Sequence, residues 1–428
     1  MTDTLEASRY GDGKPILVIG GGIAGLTTAI EAAEAGCQVI LVEKAPYLGG
    51  RVARMHQYFP KLCPPTCGLE INFRRLRENP RVTLLTLAKV EEIKGGPGDY
   101  EVKILLAPRF VTQACTLCGE CAQACPAERA DEFNYGMSKT KAVYLPYATA
   151  LPASYVIDRA ACPEGCKACK EACVYGAIDL DQKAERKTFR VAAVVAATGW
   201  APYDVTKVGN LGFGKYPNVV TNFIMERLAA VDGPTRGRIL RPSDGKEPKT
   251  VAFVQCAGSR DENHLPYCSA VCCAASLKQA SYICALYPQA AITIFYIDVR
   301  TPGRLEKFYA SVAADEKIRV VKGKVAKVEE EAGTADLLVT AEDVLSGKKG
   351  THKFDLVVLA AGIVPQTDGL PGGFEFDEFK FLSLPDGKAG LYGAGCARRP
   401  GEVSASVQDA TGAALKALQC VARSMHNG

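Results

Sequence analysis

The sequence predicts an α/β protein built from two related strand–helix–strand halves, with a smaller cysteine-rich α+β module inserted into the first half. Residues 15–43 form the first unit, in which two buried apolar strands flank an alanine-rich helix. A second unit of the same order starts at residue 250 and ends before Asp298. Between them, residues 115–173 hold eight cysteines in two similar runs. These observations indicate two nucleotide-binding-type domains that carry an insertion.

Apolar runs, helical periodicity and turn residues define the individual elements. Segments 100–106 and 188–196 have the pattern of strands on either side of the cysteine-rich block, which places that block at the tip of a hairpin. Residues 95–98 and 241–249 are predicted loops, and the second loop leads into the second half. The predicted elements of the two units are strands at 15–19, 38–43, 250–256 and 291–297 and helices at 23–34 and 274–286.

Composition excludes several classes of protein. The chain has 428 residues, 48% apolar and 23% charged, which is typical of globular proteins and argues against disorder, collagen and coiled coil. Lys and Arg number 51 against 47 Asp and Glu, without a long basic run, so no nucleic-acid partner is expected. The sequence has no apolar run long enough to span a membrane, so no membrane span is expected. Residues 1–14 are polar and charged, so no secretory signal is expected either. In a non-secreted chain, 18 cysteines point to metal ligands instead of disulfides.

Three glycines between the first strand and the first helix follow the pattern G-x-G-x-x-G. At Gly20, Gly22 and Gly25 the missing side chains permit a tight turn and a close backbone approach, and the helix N-terminus faces the pyrophosphate of a dinucleotide. Glu43 ends the next strand 18 residues after Gly25, where a carboxylate would hold ribose hydroxyls. A glycine turn without a ligand is the alternative. The strand, the helix and the acidic residue all favour the dinucleotide site.

The residues that follow indicate that the dinucleotide is FAD. Residues 49–51 resemble the flavoprotein turn that packs on the FAD pyrophosphate. Two later turns, 197–199 and 392–395, resemble further FAD-contact turns of thioredoxin-reductase-like flavoproteins. An aspartate usually ends the last of these turns, whereas this sequence has Cys396 there. The candidate FAD-contact residues are Gly20, Gly22, Ile23, Ala24, Gly25, Glu43, Lys44, Gly49, Gly50, Arg51, Ala197, Thr198, Gly199, Gly395 and Cys396.

The eight cysteines of the central block have the spacing of a two-cluster ferredoxin. The first run is C-x2-C-x2-C-x3-C-P, in which three thiolates hold one 4Fe–4S cluster and the fourth reaches the other cluster. The second run has one extra residue in its first gap and Val174 in place of the proline. A zinc ribbon is the alternative. The predicted ligand sets are Cys115, Cys118, Cys121 and Cys173 for one cluster, and Cys162, Cys166, Cys169 and Cys125 for the other.

Four further cysteines lie in the second half, where the glycine motif of a pyridine-nucleotide site is missing. Cys256 ends the strand, and Cys268, Cys272 and Cys273 follow it with the spacing C-x11-C-x3-C-C. Four soft thiolates suit an iron–sulfur cluster or zinc, and the predicted flavin and clusters favour a third 4Fe–4S cluster. Buried free thiols on an alanine-rich helix are the alternative.

The remaining cysteines and the histidines indicate no hydrolytic chemistry. Cys63 and Cys67 follow the flavin turn. Their sequence context fits a redox-active pair, thiols close to a cluster, or structural residues. Cys37, Cys284 and Cys420 fit the pattern of small core residues. The four histidines show no pairing with a serine, a cysteine or an acid that would specify hydrolysis.

These motifs divide the chain into five predicted segments. They are a first part of the FAD-binding domain at 1–107, an inserted domain for two 4Fe–4S clusters at 108–186, a second FAD-binding part at 187–248, a degenerate pyridine-nucleotide-like domain holding a cluster at 249–365, and a C-terminal FAD-binding part at 366–428.

Several stretches together resemble one known family, the A-subunit family of the heterodisulfide reductases, over nearly the whole chain. Besides the glycine turns and the cysteine sets, the matching stretches are Phe59-Pro60 with Cys63, and residues 216–221, 241–246 and 255–261. The resemblance implies an FAD and iron–sulfur electron-transfer subunit of a larger complex, and it implies that the four cysteines of the second half are ligands of an additional cluster.

Only about 30 residues follow Cys396, whereas the methanogen form looks longer. In this respect the chain resembles the A subunit of the quinone-interacting membrane-bound oxidoreductase complex. That resemblance implies a cytoplasmic subunit on the inner face of the membrane, with partners that include adenylylsulfate reductase and a membrane-bound quinone-reactive subunit. Three alternatives stay open. They are a soluble electron-bifurcating heterodisulfide reductase complex, an NAD(P)H-dependent oxidoreductase similar to the small subunit of glutamate synthase, and a scaffold with degenerate cofactor sites.

Overall fold

The computed structural model describes residues 13–383 and 390–426. The prediction of no secretory signal rests mainly on residues 1–12, which lie outside the described residues. Among the helices of the described residues, none combines the length and the apolar character needed to cross a membrane.

Strands and α-helices alternate at residues 16–86 and 219–322, whereas strands mostly follow one another in the rest of the described residues. The helices are α1 Ile23–Glu34, α2 Pro65–Glu78, α3 Glu120–Gln123, α4 Ala168–Glu171, α5 Asn222–Ala229, α6 Cys272–Leu286, α7 Leu305–Ala313 and α8 Val403–His426. The strands are β1 Ile16–Ile19, β2 Val39–Glu43, β3 Val82–Thr86, β4 Ala88–Gly96, β5 Asp99–Leu106, β6 Glu128–Ala130, β7 Lys139–Lys141, β8 Val143–Tyr144, β9 Val156–Ile157, β10 Glu185–Val191, β11 Ala193–Ala196, β12 Trp200–Pro202, β13 Val219–Thr221, β14 Thr250–Ala257, β15 Ala291–Tyr296, β16 Ile318–Lys322, β17 Val325–Glu330, β18 Leu337–Asp343, β19 Lys348–Phe354, β20 Leu356–Ala361, β21 Ile363–Pro365 and β22 Leu391–Gly393.

The first unit is a parallel five-stranded sheet with the strand order β22-β11-β1-β2-β3. Every residue of β1 and β11 is buried, as expected for strands that are covered on both faces. On one face α1 and α8 pack against each other and against the sheet, and on the other face lies a three-stranded antiparallel sheet with the order β10-β5-β4. The glycine turn therefore connects a central strand to a helix that is packed on both sides.

The cysteine-rich block is inserted at the tip of the β5–β10 hairpin. Leu106 pairs with Glu185, so residues 107–184 form the connection between the two strands. The prediction of a single strand at 188–196 is wrong, because the segment forms two strands, β10 and β11, in different sheets. The part up to Val191, in which Thr188 and Arg190 are exposed and Val191 is buried, belongs to the antiparallel sheet. The fully buried part from Ala193 joins the parallel sheet.

The second unit is a parallel sheet with the strand order β13-β20-β14-β15-β16, and it is flanked by the antiparallel sheet β17-β18-β19. Its central strands are apolar and buried, and α5 and α6 pack on it. β13 pairs with β20 and lies in this sheet, although the sequence analysis assigns residues 187–248 to the FAD-binding domain. The short pair of β12 and β21 connects the two units.

The insert packs on the first and second units, and one of its aromatic residues, Phe133, contacts both. The Phe133 ring packs edge-on against Tyr47, with ring centroids 5.8 Å apart. The guanidinium groups of Arg54 and Arg227 lie 5.5 and 4.7 Å from the centre of the same ring. Arg227 is 1% exposed, and its Nε donates a 2.8 Å hydrogen bond to Oδ1 of Asn134. The insert is therefore attached by side-chain packing as well as by its two connecting strands.

Candidate functional site

A cavity of about 1330 Å³ lies at the carboxyl ends of β1, β2 and β11. This is the edge at which parallel α/β sheets bind their ligands. The insert closes one side of the cavity with residues such as Phe133, and the second unit closes another with residues of α6. The predicted FAD-contact residues that line the cavity are Gly20, Gly22, Ile23, Ala24, Glu43, Lys44, Gly50, Arg51, Ala197, Thr198, Gly199 and Cys396. Gly25, Gly49 and Gly395 do not line it.

The glycine turn leaves room on the side that faces the cavity. A Cβ at Gly20, where φ is +110°, would lie 2.4 Å from the carbonyl oxygen of Ala197, and one at Gly25 would lie 1.7 Å from that of Gly20. These two glycines therefore permit the packing of strand and helix. A Cβ at Gly22 would meet only the Cα of Gly50, at 3.9 Å. This open space beside the N-terminus of α1 fits the pyrophosphate of a dinucleotide.

Glu43 is held by the backbone of the turn that it faces. Its Oε2 accepts a 2.6 Å hydrogen bond from the Gly21 amide, and its Oε1 accepts a 2.7 Å bond from the Ala45 amide. Burial raises the pKa of Glu43, and the two backbone donors oppose that shift. The carboxylate thus stabilises the glycine turn at the cavity wall, and its contact with a ribose stays a prediction.

Two further side chains of the cavity wall bear on the fit of a ligand. The Thr198 hydroxyl is buried without a hydrogen-bond partner, so it leaves a polar atom for a bound molecule to satisfy. The Cys396 thiol occupies the position at which an aspartate is usual, and its Sγ lies 3.3 Å from the Gly401 carbonyl oxygen. Asp409 on α8 brings a carboxylate to this turn, because its Oδ2 accepts a 2.8 Å hydrogen bond from the Gly395 amide.

A buried charge network, which the sequence did not predict, lies on the wall formed by the second unit. Nζ of Lys278 lies 3.0 Å from Oε1 of Glu226, and both side chains are less than a tenth exposed. Glu226 also accepts hydrogen bonds from Nε2 of Gln279, at 2.7 Å, and from the His56 amide, at 3.0 Å. The signal in the sequence is a single lysine in the apolar helix that begins at Cys272.

The eight thiols of the insert fall into two groups of neighbours. Burial first, and then the nearby thiols of Cys115, Cys173 and Cys118, raise the pKa of Cys121 to about 11. Because thiols act on each other's pKa at short range, these four residues are a first insert group. For Cys169 the corresponding causes are burial and then the thiols of three cysteines of a second insert group. That group consists of Cys162, Cys125, Cys166 and Cys169. The fourth cysteine of each run thus lies with the opposite run.

A third group of four thiols, the β14–α6 thiol group, lies where the glycine motif is missing. Burial raises the pKa of Cys272, and the Cys256, Cys273 and Cys268 thiols raise it further. The backbone around this pocket is strained, because φ is positive at the non-glycine residues Cys256, Arg260 and Ala270, at +57°, +58° and +61°. Such conformations cost about 1–2 kcal/mol each and cluster at functional sites.

No three His, Cys, Asp or Glu side chains in the described ranges are close enough together to hold a single metal ion. The three thiol groups are thus sets of neighbours that do not form a single-ion site. Cys63 and Cys67 belong to none of these groups. Both thiols lie near the hydroxyl of Tyr58, whose pKa is raised by burial first and then by these two thiols.

Comparison with known proteins shows what this chain is similar to. The profile of the FAD dependent oxidoreductase family matches residues 15–62. The A subunit of the H(2):CoB-CoM heterodisulfide,ferredoxin reductase of Methanothermobacter thermautotrophicus is 37% identical over 97% of this chain and 65% of that protein. The A 2 iron-sulfur subunit of the CoB--CoM heterodisulfide reductase of Methanopyrus kandleri is 38% identical over 99% of this chain and 66% of that protein. The chain thus spans just under two thirds of the length of these relatives.

Among solved structures, two thioredoxin reductases share the fold. The enzyme of Lactococcus lactis has a TM-score of 0.52 at 13% identity and covers 96% of this chain and 99% of its own. The thioredoxin reductase of T. acidophilum has a TM-score of 0.53 at 14% identity, and the match covers 95% of this chain and 98% of that enzyme. The predicted fold class, a two-domain flavoprotein of the thioredoxin reductase type, is confirmed, and the cysteine-rich region is compatible with a ferredoxin insert.

Proposed function

We propose that the chain is an FAD-dependent oxidoreductase of the A-subunit family of the heterodisulfide reductases, and that it is the FAD and iron–sulfur electron-transfer subunit of a heterodisulfide-reductase-like complex. The observation that carries the proposal is the presence, in one chain, of a dinucleotide cavity and three groups of four neighbouring thiols. Because partner subunits would supply and remove electrons, the chain is not expected to turn over a substrate alone.

The cavity residues have distinct parts in this proposal. The turn around Gly22 and the N-terminus of α1 would hold the pyrophosphate of FAD, and Glu43 would face the adenosine ribose. Lys44 and Arg51 add positive charge beside the phosphates, and Phe133 of the insert would exclude water. Bound FAD would supply the conversion between two-electron and one-electron transfer.

The thiol groups would hold three 4Fe–4S clusters, each of which carries one electron at a time. The two insert groups have the crossed arrangement of a two-cluster ferredoxin. The β14–α6 thiol group lies at the carboxyl end of β14, the edge at which a related enzyme would bind a pyridine nucleotide.

Iron analysis tests the cluster count. Anaerobically prepared protein should contain about twelve irons with three clusters and about eight with only the insert loaded. The double variant Cys268→Ser/Cys272→Ser should lose about four irons and keep the flavin, because its ligands lie apart from the insert. Cys284→Ser, on the same helix α6, is the matched control and should keep all of them. An iron content that is unchanged in the double variant would refute the third cluster.

For the complex itself, we propose partners that link the quinone pool to adenylylsulfate reductase, with the chain held on the inner face of the membrane through a membrane-bound quinone-reactive subunit. The sequence resemblance to the quinone-interacting complex supports this choice. The second candidate is a soluble electron-bifurcating heterodisulfide reductase complex, which the names of relatives at 37–38% identity favour. Identification of the subunits that co-purify from membrane and soluble fractions distinguishes the two.

The residues of the second unit argue against a self-sufficient NAD(P)H oxidoreductase. Between β14 and α6 the chain has a pocket lined by four cysteines and two arginines in place of a glycine turn. NADPH added anaerobically to the purified, flavin-loaded protein should leave the flavin absorbance unchanged. Rapid bleaching would contradict the proposal of an electron-transfer subunit that depends on partners.

A further inference from the structure

We propose that Arg260 and Arg300 are positioning residues that donate hydrogen bonds to the sulfurs of the β14–α6 thiol group and raise the reduction potential of the cluster held there. The inference rests on the proposed third cluster and extends it to the residues around the ligands. Both arginines line the same pocket as the four cysteines.

Each arginine reaches a different sulfur. The Arg260 side chain lies close to the Cys256 sulfur, and the Arg300 side chain lies close to that of Cys268. The backbone N–H of Arg300 lies close to the Cys273 sulfur. Three of the four sulfurs therefore have an N–H group of one of these two residues nearby.

The two guanidinium groups are fixed by a shared carboxylate. Asp298, which follows β15, forms an ion pair with Nη1 of Arg260 through Oδ1. Its Oδ2 lies 3.3 Å from Nε of Arg300. The backbone of Arg260 is in the left-handed region, with φ at +58°, so its side chain is directed into the pocket by a conformation that non-glycine residues rarely adopt.

The charge balance around the pocket favours a reduced cluster. Two arginines and one aspartate leave a net positive charge beside sulfurs that gain electron density when a cluster is reduced. Hydrogen bonds and positive charge at the sulfurs stabilise the reduced form, and both raise the potential. Carbonyl oxygens face two of the sulfurs, since that of Ala361 lies 3.6 Å from the Cys272 sulfur and that of Asp298 lies 3.8 Å from the Cys273 sulfur. The Ala270 amide donates a 3.4 Å hydrogen bond to the Cys268 sulfur. The proposed effect thus comes from the side of the pocket that holds Arg260 and Arg300.

A redox titration of the whole protein, loaded with flavin and clusters and followed by electron paramagnetic resonance, tests the inference. The signal of the third cluster is the one that Cys268→Ser/Cys272→Ser removes. At the wild-type midpoint, Arg260→Gln and Arg300→Gln should each lower the ratio of reduced to oxidised third cluster about tenfold, which is a shift of about 59 mV for one electron. Lys324→Gln is the matched control, because Lys324 is a nearby cation that pairs with Asp261.

The outcomes separate this inference from the cluster assignment. If the double cysteine variant loses no iron, there is no third cluster, and both proposals fall. If that variant loses four irons while both arginine variants titrate like the wild type and the lysine control, only the role of the arginines is overturned. Arg300 is 48% exposed, so Arg300→Gln is expected to fold and decides the matter even if Arg260→Gln does not.

Discussion

Replacing Gly22 by valine separates the binding of FAD from the stability of the chain. Gly22 has φ −77° and ψ −176°, an extended conformation that valine adopts without strain. A Cβ there would have its nearest protein neighbour at 3.9 Å, so the chain itself leaves room for the side chain. The space that valine fills is the space that a pyrophosphate needs. We therefore expect a folded protein that retains its iron and binds FAD more weakly.

The size of the effect follows from this geometry. Valine is a poorer N-cap than glycine by roughly 0.5–1 kcal/mol, and a similar gain from the restricted unfolded chain offsets that loss. The melting temperature of the flavin-free protein should then change little. A clash of two methyl groups with the pyrophosphate costs about 1–3 kcal/mol, by analogy with overpacked cores. That cost corresponds to a roughly 5- to 150-fold weaker affinity for FAD.

Gly25→Ala is the contrasting variant. Its Cβ would lie 1.7 Å from the Gly20 carbonyl oxygen, a backbone atom that cannot move aside cheaply. A loss of about 1–3 kcal/mol in the free energy of unfolding should lower the melting temperature by about 2–12 °C. Titration of both flavin-free proteins with FAD, together with thermal unfolding, measures the two effects. An FAD affinity of Gly22→Val equal to that of the wild type would show that the glycine turn does not hold the pyrophosphate.

Three further variants test the surroundings of the cavity. Glu226→Gln leaves Lys278 buried without its carboxylate and should lower the free energy of unfolding by about 3–5 kcal/mol in a denaturant titration, whereas adding Lys278→Met should restore most of it. Burial lowers the pKa of His56, so the unfolded chain binds a proton there more readily than the folded one. The free energy of unfolding should therefore decrease as the pH drops below about 6.5, and it should decrease less steeply in His56→Asn. Equal slopes in the two proteins would contradict a lowered pKa for His56. Arg227→Met removes the contacts with the insert and should speed its cleavage in limited proteolysis, while Arg186→Met, at an exposed ion pair, should not.

Local signals account for the parts of the fold that the sequence predicts well. The bounds of α1 agree with the prediction, because the glycine turn and the apolar periodicity both lie within the segment. The predicted strand at 188–196 is divided because its two parts join different sheets, and pairing partners about 90 and 200 residues away decide that division. Long-range pairing of this kind leaves little trace in a local pattern.

The candidate site shows the same division. The cysteine spacings predict both insert groups, since each run is a compact motif. The contact of Lys278 with Glu226 joins residues 52 positions apart, and Asp298 meets Arg260 across 38 positions. Neither pair has a fixed spacing from a motif, so only the packing of α5, α6 and the end of β15 brings these charges together.

The order of strands in the first sheet also constrains how the protein is made. β22 is the outer neighbour of β11, yet about 195 residues separate them, and α8, which packs on α1, is translated after both. At about 5–20 residues per second, synthesis of the intervening chain takes roughly 10–40 s. The cysteines of the three thiol groups all emerge before Cys396 completes the cavity wall. We expect iron to be loaded into the nascent or newly released chain before flavin, so a chain that stops short of β22 should carry iron and bind no FAD.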